Sequence, residues 1–509
     1  MSAARDPSSW LELAAGTDPR RTLVRTPEGR RLDYGTAREQ CARLASALLR
    51  CGAIPGDRVA LRVEKSPEAV LVYLACLRIG AVFVPLNPAS TPHELEYLLG
   101  DSGPRIVIVG PGERAALAPL AQRAGVAHLE TLAVGGEGSL NELAESAGRD
   151  GPPRAMDAAA PAAILYTSGT TGRSKGAILT RGNLASNAAA LVEAWRFTGE
   201  DVLLHVLPLS HVHGLFAAIN TVLASASGML LLPRFEVAAV LSHLAEVSVF
   251  MGVPTYYTRL LKERALDRRL TERVRLFVSG SAPLLAQTHE EFRARTGQAI
   301  LERFGMTETL MNTSNPYDGP RVPGSVGPPL PGVAVRVTDR ESGAVLRAPD
   351  AIGTLEISGP NVFAGYWRDA AKTRDSFTAD GWFKTGDLGR IDERGYVYIV
   401  GRVKDLIISG GYNVYPKEVE AELDALAGIA ESAVFGVPHA DYGEGVTAAV
   451  VLEAGAGVTE ADILALLRAQ LAGYKLPKRI LIVPELPRNA LGKVQKNILR
   501  STYAALYAG

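Results

Sequence analysis

Cysteine is scarce in this sequence. The three cysteines, Cys41, Cys51 and Cys76, all fall within the first sixth of its 509 residues. Neither a disulfide framework nor a metal-ligand spacing can be built from these three alone. We therefore expect three small apolar core residues in a reducing compartment.

The sequence also carries no net charge. The 54 basic and 54 acidic side chains cancel, whereas a general nucleic-acid binder carries a clustered basic excess. This balance argues against a nucleic-acid partner, and it still allows a local basic site for a phosphorylated ligand.

The sequence also lacks an unbroken apolar run long enough to span a membrane. The longest, around Gly214–Leu232, is interrupted by Asn220 and Ser225, so we predict a buried helix followed by a strand and no membrane partner. The N-terminal residues MSAARDPSSW have no apolar core like that of a signal peptide, and Asp6 and Glu12 argue against a transit peptide. We expect a cytoplasmic protein.

The composition, 47% apolar and 21% charged, is typical of a globular protein, and the length suggests two or three domains. Strand-like runs alternate with helical patterns over the first three-quarters, as in RVALRV (58–63) followed by PEAVLVYLACLR (67–78). This alternation predicts an α/β fold of parallel-rich sheets covered by helices. We expect the strands Ala162–Tyr166, Val202–Leu207 and Arg275–Val278 to lead through Gly/Ser/Pro-rich turns into helices, with ligands at their carboxyl ends.

The pattern changes after residue 324. Short strands such as Gly353–Ser358 predict a small β-barrel-like unit over about 324–400. Beyond it, the helices Pro416–Asp424 and Glu460–Leu471 predict a small α+β domain. The division is an N-terminal domain 1–403 and a C-terminal domain 404–509.

Serine, threonine and glycine crowd together in YTSGTTGRSKG (166–176), directly after a predicted buried strand. Glycines let the backbone approach a polyphosphate, and hydroxyls and amides donate hydrogen bonds to its oxygens. Lys175 adds a compact positive charge. The run has no Gly-Lys-Ser/Thr ending and is not a Walker A loop.

This segment resembles the signature loop of the adenylate-forming superfamily, which comprises acyl-CoA synthetases, adenylation domains of nonribosomal peptide synthetases and beetle luciferases. Five further segments resemble motifs of that superfamily in the same order along nearly the whole chain. They are SGSAPL (279–284) on the adenine side, ERFGMTET (302–309), WFKTGD (382–387) on the ribose side, GRVKDLI (401–407) at a hinge, and PRNALGK (487–493) with a catalytic lysine.

The resemblance implies a site for ATP. Phe304 is expected to stack on adenine and Asp387 to accept hydrogen bonds from the ribose hydroxyls. Taken alone, Phe304 would be a core residue and Asp387 a turn residue. The full implied set is Thr167, Ser168, Gly169, Thr170, Thr171, Lys175, Ser281, Ala282, Pro283, Glu302, Arg303, Phe304, Gly305, Met306, Thr307, Asp387, Arg402 and Lys493.

The implied catalytic residues are Lys493, Glu308 and Thr307. Activating a carboxylate with ATP forces negative groups together, so positive charge and a metal ion are needed. Glu308 and Thr167 are expected to hold Mg²⁺, a hard ion that suits oxygen ligands; alone, Glu308 would be a surface acid or a helix cap. Lys493 is expected to approach the α-phosphate, although alone it would be a solvated lysine in an exposed tail, open to a lysine acetyltransferase or deacetylase.

The resemblance also implies coenzyme A as the acceptor. The C-terminal domain is expected to be mobile and to rotate about a hinge at Lys404. That motion would exchange Lys493 for Ser409, Gly410 and Gly411, which would line the pantetheine tunnel. No carrier-attachment motif is found, which favours free coenzyme A.

Two segments are expected to indicate which acid is the substrate. They are LPLSHVHGLF (207–216) and MGVPTYYTRLL (251–261). In the second, Arg259 on a short amphipathic helix suits a second carboxylate in a bidentate pair, although alone it would be a solvated helix residue. Together with 305–319, 413–420 and 437–446, this segment resembles malonyl-CoA synthetases. The implied acyl pocket consists of Arg259, His211, His213, Ser279, Ser281, Met306 and Met311.

We therefore expect malonate to be converted to malonyl-CoA through a malonyl-adenylate, with AMP and pyrophosphate as products. Met306 and Met311 would bound the C2 position, and the choice between malonate and methylmalonate stays open. The alternatives are a short-chain monocarboxylate synthetase and an adenylating enzyme that uses another acceptor. A non-enzymatic sensor would be expected to lack Lys493 or Glu308, and both are present.

Overall fold

Two large sheets rich in parallel pairs dominate the computed structural model, which describes residues 5–148, 151–167, 174–410, 412–489 and 492–507. In spatial order, the eight strands of the first, counted over the described residues, are Leu310–Ser314, Ile300–Met306, Leu276–Ser279, Val249–Gly252, Val202–His205, Gly228–Leu231, Thr22–Arg25 and Arg31–Asp33. The seven of the second, counted in the same way, are Gly365–Tyr366, Lys175–Thr180, Pro161–Thr167, Val82–Pro85, Arg58–Arg62, Ile106–Val109 and His128–Thr131. Antiparallel pairs lie at the edges, and the central pairs are parallel, so the predicted α/β fold is confirmed.

Helices cover these sheets, and local signals fix their ends. Before Pro67–Ile79 the Ser66 side chain accepts a hydrogen bond from the Ala69 amide, and Gly80, with φ 79°, ends the helix in a left-handed conformation. The α-helices are Trp10–Thr17, Tyr34–Arg50, Pro67–Ile79, Pro92–Ser102, Arg114–Arg123, Ser139–Ala147, Arg181–Ala194, Asn220–Ala224, Val237–His243, Pro254–Leu261, Ala286–Thr296, Ala370–Asp375, Pro416–Asp424, Glu460–Leu467 and Lys496–Thr502. Short 3₁₀ turns span Pro7–Ser9, Pro111–Glu113, Leu244–Glu246 and Val403–Asp405, and a π-helix spans His213–Ile219.

One strand does not lead into a helix as we predicted. Pro161–Thr167 is followed by Lys175–Thr180, which pairs with it antiparallel, and only then by the helix Arg181–Ala194. The alternating pattern was wrong here because an edge hairpin leaves the same sequence signature as a strand before a turn. The segment between the two strands includes residues 168–173, which lie outside the described residues.

The largest apolar cluster lies between the two sheets and contains the three cysteines. Cys41, Cys51 and Cys76 are all buried, and none forms a disulfide within the described residues, which confirms them as core residues. Ligand atoms of Cys51, His128 and Glu130 lie within 4.8 Å of one another. Burial and the Glu130 charge raise the pKa of the Cys51 thiol to about 11.

The β-rich unit expected at about 324–400 is a five-stranded antiparallel sheet, counted over the described residues. In spatial order, its strands are Val345–Leu346, Ala334–Thr338, Gly353–Ser358, Phe383–Ile391 and Val397–Arg402. The C-terminal sheet consists, over the same residues, of Tyr412–Val414, Ile407–Ser409, Gly443–Leu452 and Ile429–His439, with Arg479–Ile482 also paired to Gly443–Leu452. Its helices pack on it and give the predicted α+β arrangement.

The proposed boundary at 403/404 falls in the short turn Val403–Asp405, and as a boundary it stays a prediction. In the parts of the chain that the structure describes, no helix has the length and apolar character needed to cross a lipid bilayer.

Candidate active site

Two of the motif segments meet because their strands are parallel neighbours. Leu276–Ser279 and Ile300–Met306 pair in parallel, with Ser279 opposite Glu302. Their carboxyl ends therefore lie at one edge of the sheet, where ligands bind in folds of this class. At this edge Ser281 adopts a left-handed backbone conformation, with φ 73°, which is strained for a residue other than glycine.

Asp387 lies within a strand and is not the turn residue that its local sequence suggested. Its Oδ1 forms an ion pair with Arg402 Nε at 2.9 Å, because the two residues are direct partners on neighbouring antiparallel strands. The Oδ2 atom is buried and has no hydrogen-bond partner among the described residues. Burial raises the pKa of this carboxyl, and the Arg402 charge opposes that shift. A buried acceptor of this kind fits a ligand that brings hydroxyl donors.

Glu308 is 8% exposed and lies in the turn after Ile300–Met306, so it is neither a surface acid nor a helix cap. Its Oε1 accepts a hydrogen bond of 2.9 Å from the Tyr366 hydroxyl. The Lys175 ammonium lies 5.8 Å from the centre of the same tyrosine ring. Tyr366 thus connects the Glu308 carboxylate to the end of the phosphate-loop motif, and no sequence pattern had pointed to it.

The oxygen atoms at this position suit Mg²⁺. Burial raises the pKa of the Glu308 carboxyl, and a hard cation would favour its ionised form. Thr167, the other predicted ligand, ends the strand Pro161–Thr167 and is partly buried. The donor set therefore fits the ion, with Glu308 as the charged member.

Lys493 comes from the C-terminal domain and lies at the same site. Its charge interacts with those of Asp387, Arg402, Arg303 and Glu308. The adjacent Gly492 lies against the helix Pro254–Leu261 of the N-terminal part of the chain. A Cβ added at Gly492 would lie 3.4 Å from Thr255 Oγ1. Lys493 is partly buried, which corrects the expectation of an exposed tail lysine. Burial is the main cause that lowers its pKa to about 8, and the Arg402 charge adds to this shift.

Glu302 contacts the end of the turn 279–284, which was predicted to face adenine. This buried carboxylate accepts a hydrogen bond from the Leu284 amide at 3.1 Å, and burial raises its pKa to about 7. Phe304 is partly exposed and packs on the apolar cluster of the antiparallel sheet. Ala282 is partly buried and Pro283 is exposed.

Several predicted acyl-pocket residues lie close together. The Ser281 hydroxyl is 3.3 Å from His213 Nδ1, and His211 Nδ1 accepts a hydrogen bond from the His213 amide. Burial lowers the pKa of both imidazoles, to about 3 for His211, so both are neutral. Met311 is 2% exposed. A Cβ added at Gly305 would lie 2.8 Å from the methyl carbon of Met311.

The remaining predicted residues are spread around this edge. Ser279 pairs with Glu302, so the two side chains lie on one face of the sheet, and strand alternation puts Arg303 on the opposite face. Met306 is partly buried against the main core, and Thr307 lies in the turn before Glu308.

The two arginines of interest have opposite environments. Arg259 lies on Pro254–Leu261 as predicted and is exposed, and its role in binding the acid stays a prediction. Helix periodicity buries Tyr257, Leu260 and Leu261 of this helix instead. Arg303 is 3% exposed, and its Nε and Nη2 atoms have no hydrogen-bond partner among the described residues.

Of the residues predicted for the pantetheine tunnel, Ser409 ends the strand Ile407–Ser409 of the C-terminal sheet and Gly410 follows it. Ser409 is buried, and the Gly410 amide donates to the Tyr442 carbonyl at 2.8 Å, within the C-terminal domain. Gly411 lies outside the described residues, as do the predicted phosphate-loop residues Ser168, Gly169, Thr170 and Thr171. Lys404 is exposed, and its role as a hinge stays a prediction.

The structure also contains a cavity of about 330 Å³. It is lined by both segments that were expected to report on the acid, through Pro208, Ser210 and Tyr256, and by the cationic side chains of Lys65 and Arg234. The Lys65 ammonium donates a hydrogen bond of 2.8 Å to the His205 carbonyl. The sequence had indicated only part of this cavity, because its other walls come from segments that are distant in the sequence.

Comparison with known proteins agrees with this geometry. A model of the AMP-binding enzyme family matches residues 11–367, and a model of the AMP-binding enzyme C-terminal domain matches residues 418–493. The mitochondrial malonate–CoA ligase of Mus musculus is 38% identical over 489 residues, which cover 89% of this chain and 83% of that protein.

Solved structures resemble the whole chain. ATP-bound MatB from Rhodopseudomonas palustris aligns with a TM-score of 0.96 at 52% identity, covering 99% of this chain and 100% of that one. Apo MatB from the same organism, at the same identity and coverage, aligns with a TM-score of 0.86. The arrangement of this chain, with Lys493 at the site, is therefore closer to the ATP-bound form.

Proposed function

Because this chain belongs to the AMP-binding enzyme family, we propose that it is an AMP-forming ligase that joins malonate to coenzyme A. The observation that carries the proposal is the convergence of Lys493, from the C-terminal domain, with Asp387 and Glu308 from the N-terminal part. A cation and two carboxylates at one site suit a nucleotide whose α-phosphate is attacked. The identity of 38% with a protein named as a malonate–CoA ligase supports the choice of acid.

In the first half-reaction a carboxylate oxygen of the acid bonds to the α-phosphorus of ATP. The bond from that phosphorus to the bridging oxygen breaks, and pyrophosphate leaves. Lys493 offsets the negative charge that develops on the α-phosphate oxygens. Asp387 accepts hydrogen bonds from the ribose and fixes the nucleotide, and Lys175 faces the departing phosphates. Glu308 and Thr167 would hold Mg²⁺, and the ion would neutralise charge on the triphosphate.

In the second half-reaction the thiol sulfur of coenzyme A bonds to the acyl carbon, and AMP leaves with the electron pair of the broken C–O bond. The thiol proton is released. We propose that Lys493 withdraws for this step as the C-terminal domain turns about Lys404, which brings Ser409, Gly410 and Gly411 towards the site.

A substrate panel tests the acid and the acceptor together. AMP release is measured with malonate, methylmalonate, succinate, acetate and butyrate, each with and without coenzyme A. We expect malonate to give the highest kcat/KM and AMP release to require coenzyme A. Preference for acetate or butyrate would make the chain a monocarboxylate synthetase, and AMP release without coenzyme A would indicate another acceptor.

Two further proposals concern the setting of the enzyme. We infer that the protein acts in the cytoplasm, because three buried cysteine thiols suit a reducing compartment. We also infer that acetylation of Lys493 by a lysine acetyltransferase would remove the charge needed for adenylation, and that a deacetylase would restore it. Because Lys493 is partly buried when it lies at the site, modification requires the domain to turn away first. Mass spectrometry of the native protein with and without saturating ATP tests this: ATP should lower the modified fraction.

A further inference from the structure

One tyrosine side chain contacts both Glu308 and Lys175, the residues expected to hold the metal ion and to face the phosphates of ATP. The Tyr366 hydroxyl donates a hydrogen bond of 2.9 Å to Glu308 Oε1. The centre of its ring lies 5.8 Å from the Lys175 ammonium, within the range of a cation–π contact. Tyr366 belongs to neither of the motifs that contain these two residues, so folding alone brings the three together.

Strand pairing and a side-chain hydrogen bond fix the backbone of Tyr366. The short strand Gly365–Tyr366 pairs antiparallel with Lys175–Thr180, with Tyr366 opposite Ala177. The Tyr366 amide also donates to Thr373 Oγ1 at 2.9 Å. Because the partner strand begins at Lys175, Tyr366 is attached to the end of the phosphate-loop motif itself.

Aromatic packing fixes the ring. Phe363, which is 3% exposed, packs edge to face with Tyr366, with ring centroids 4.9 Å apart and an angle of 76° between the planes. The Phe363 amide also donates to the Glu308 carbonyl at 2.8 Å. One short segment therefore holds both the backbone and the side chain of Glu308.

A hydroxyl donor can orient a carboxylate and still leave room for an ion. An ionised carboxylate offers about four acceptor positions, and the Tyr366 hydroxyl uses one of them. Carboxylates that bind metals are commonly held by hydrogen bonds of this kind, which fix their orientation. Because the hydroxyl is neutral, it adds no positive charge that would repel the ion.

The alternative is that Tyr366 only fills space beside Phe363. A phenylalanine would fill that space as well, and the hydroxyl of a half-buried tyrosine can bond to water. Here it donates instead to a carboxylate that is only 8% exposed. The direction of the hydroxyl thus favours a role that acts through Glu308.

We propose that Tyr366 is a positioning residue, which orients Glu308 towards the metal ion and sets its place relative to Lys175. The inference rests on the proposed function, in which Glu308 is a ligand of Mg²⁺ and Lys175 faces the phosphates. Loss of the Tyr366 hydroxyl should weaken binding of the metal ion and leave binding of the metal-free nucleotide intact.

The test is Tyr366→Phe, which keeps the ring and removes the hydroxyl. The probe is Mn²⁺, which also prefers oxygen ligands, with the enzyme in excess over an α,β-methylene analogue of ATP. Electron paramagnetic resonance counts the free ion. We expect the Kd for Mn²⁺ to rise by on the order of 10–100-fold, as for other groups that orient a metal ligand. The Kd for ATP in the presence of a chelator should stay at the wild-type value.

Adenylation of malonate gives a second readout. The Mg²⁺ concentration for half-maximal pyrophosphate release should rise by a similar factor in Tyr366→Phe, and saturating Mg²⁺ should restore most of the rate. The matched control is Tyr398→Phe, which removes a tyrosine hydroxyl that donates to Asp392 Oδ2 at 3.3 Å in the antiparallel sheet. It should leave both metal measurements unchanged. Glu308→Gln is the reference for loss of the ligand and should weaken Mn²⁺ binding at least as much.

The outcomes distinguish this inference from the proposed function. Wild-type affinity for Mn²⁺ in Tyr366→Phe would overturn the positioning role. A loss of rate that saturating Mg²⁺ does not restore, with weaker binding of metal-free ATP, would make Tyr366 a structural residue only. Wild-type Mn²⁺ affinity in Glu308→Gln would remove Glu308 as a ligand and the inference with it. The Mn²⁺ measurement contains no acid, so it decides the role of Tyr366 even if wild type prefers an acid other than malonate.

Discussion

Asp387 and Arg402 form an ion pair of 2.9 Å that uses only one of the two carboxylate oxygens. The other oxygen is buried in a side chain that is 2% exposed and has no partner among the described residues. The pair holds the carboxylate in place and keeps one acceptor for a ligand. This arrangement makes a prediction about ATP.

Asp387→Asn should weaken ATP binding with little effect on the acid. Hydrogen bonds to a charged group contribute about 1.5–3 kcal/mol, so the KM for ATP should rise by on the order of 10–100-fold. The control is Asp350→Asn, which breaks the exposed ion pair to Arg390 in the same sheet and should leave this KM unchanged. A KM for ATP that stays at the wild-type value in Asp387→Asn would remove the ribose assignment.

Lys493→Ala should abolish adenylation and largely spare thioester formation from a supplied acyl-adenylate. Loss of one donor to the developing charge costs on the order of 10²–10³ in rate. The two half-reactions are measured separately, and Lys384→Ala, an exposed lysine of the ribose-side strand, is the control. Equal losses in both half-reactions would contradict a role in one domain arrangement only.

The pH profile of adenylation should reflect the Lys493 ammonium. Its pKa is lowered to about 8, chiefly by burial, and the charged form is the one present below that pH. We therefore expect kcat/KM for adenylation to fall as the pH rises through about 8. Lys493→Arg should lose this alkaline limb, because a guanidinium stays charged. An unchanged limb in that variant would assign it to another group.

Lys404→Pro should affect one half-reaction far more than the other, because proline fixes φ. Lys404 is exposed in the short turn Val403–Asp405, so we expect the fold to survive. Lys404→Ala, which keeps the backbone free, is the matched control and should retain both rates. Wild-type rates for both half-reactions in the proline variant would show that the pivot is elsewhere.

Much of the fold was predictable from local patterns. The helix Pro416–Asp424 was predicted with its observed bounds, because proline is favoured in a first helical turn and its buried side chains recur at helical spacing. The edge hairpin formed by Pro161–Thr167 and Lys175–Thr180 was missed, because pairing direction depends on which strands meet in space.

The sequence by itself determined the chemistry: the six motifs supplied Lys493, Glu308, Asp387 and the phosphate-loop residues in order. Only the tertiary structure decided which charges are enclosed. Arg259 and Arg303 are both arginines within motif-like segments, yet helix periodicity turns the first to solvent, and the side chain of the second is buried against Gly280. A charge acquires strong specificity only where water is excluded, and the exclusion of water is a property of several distant segments packed together.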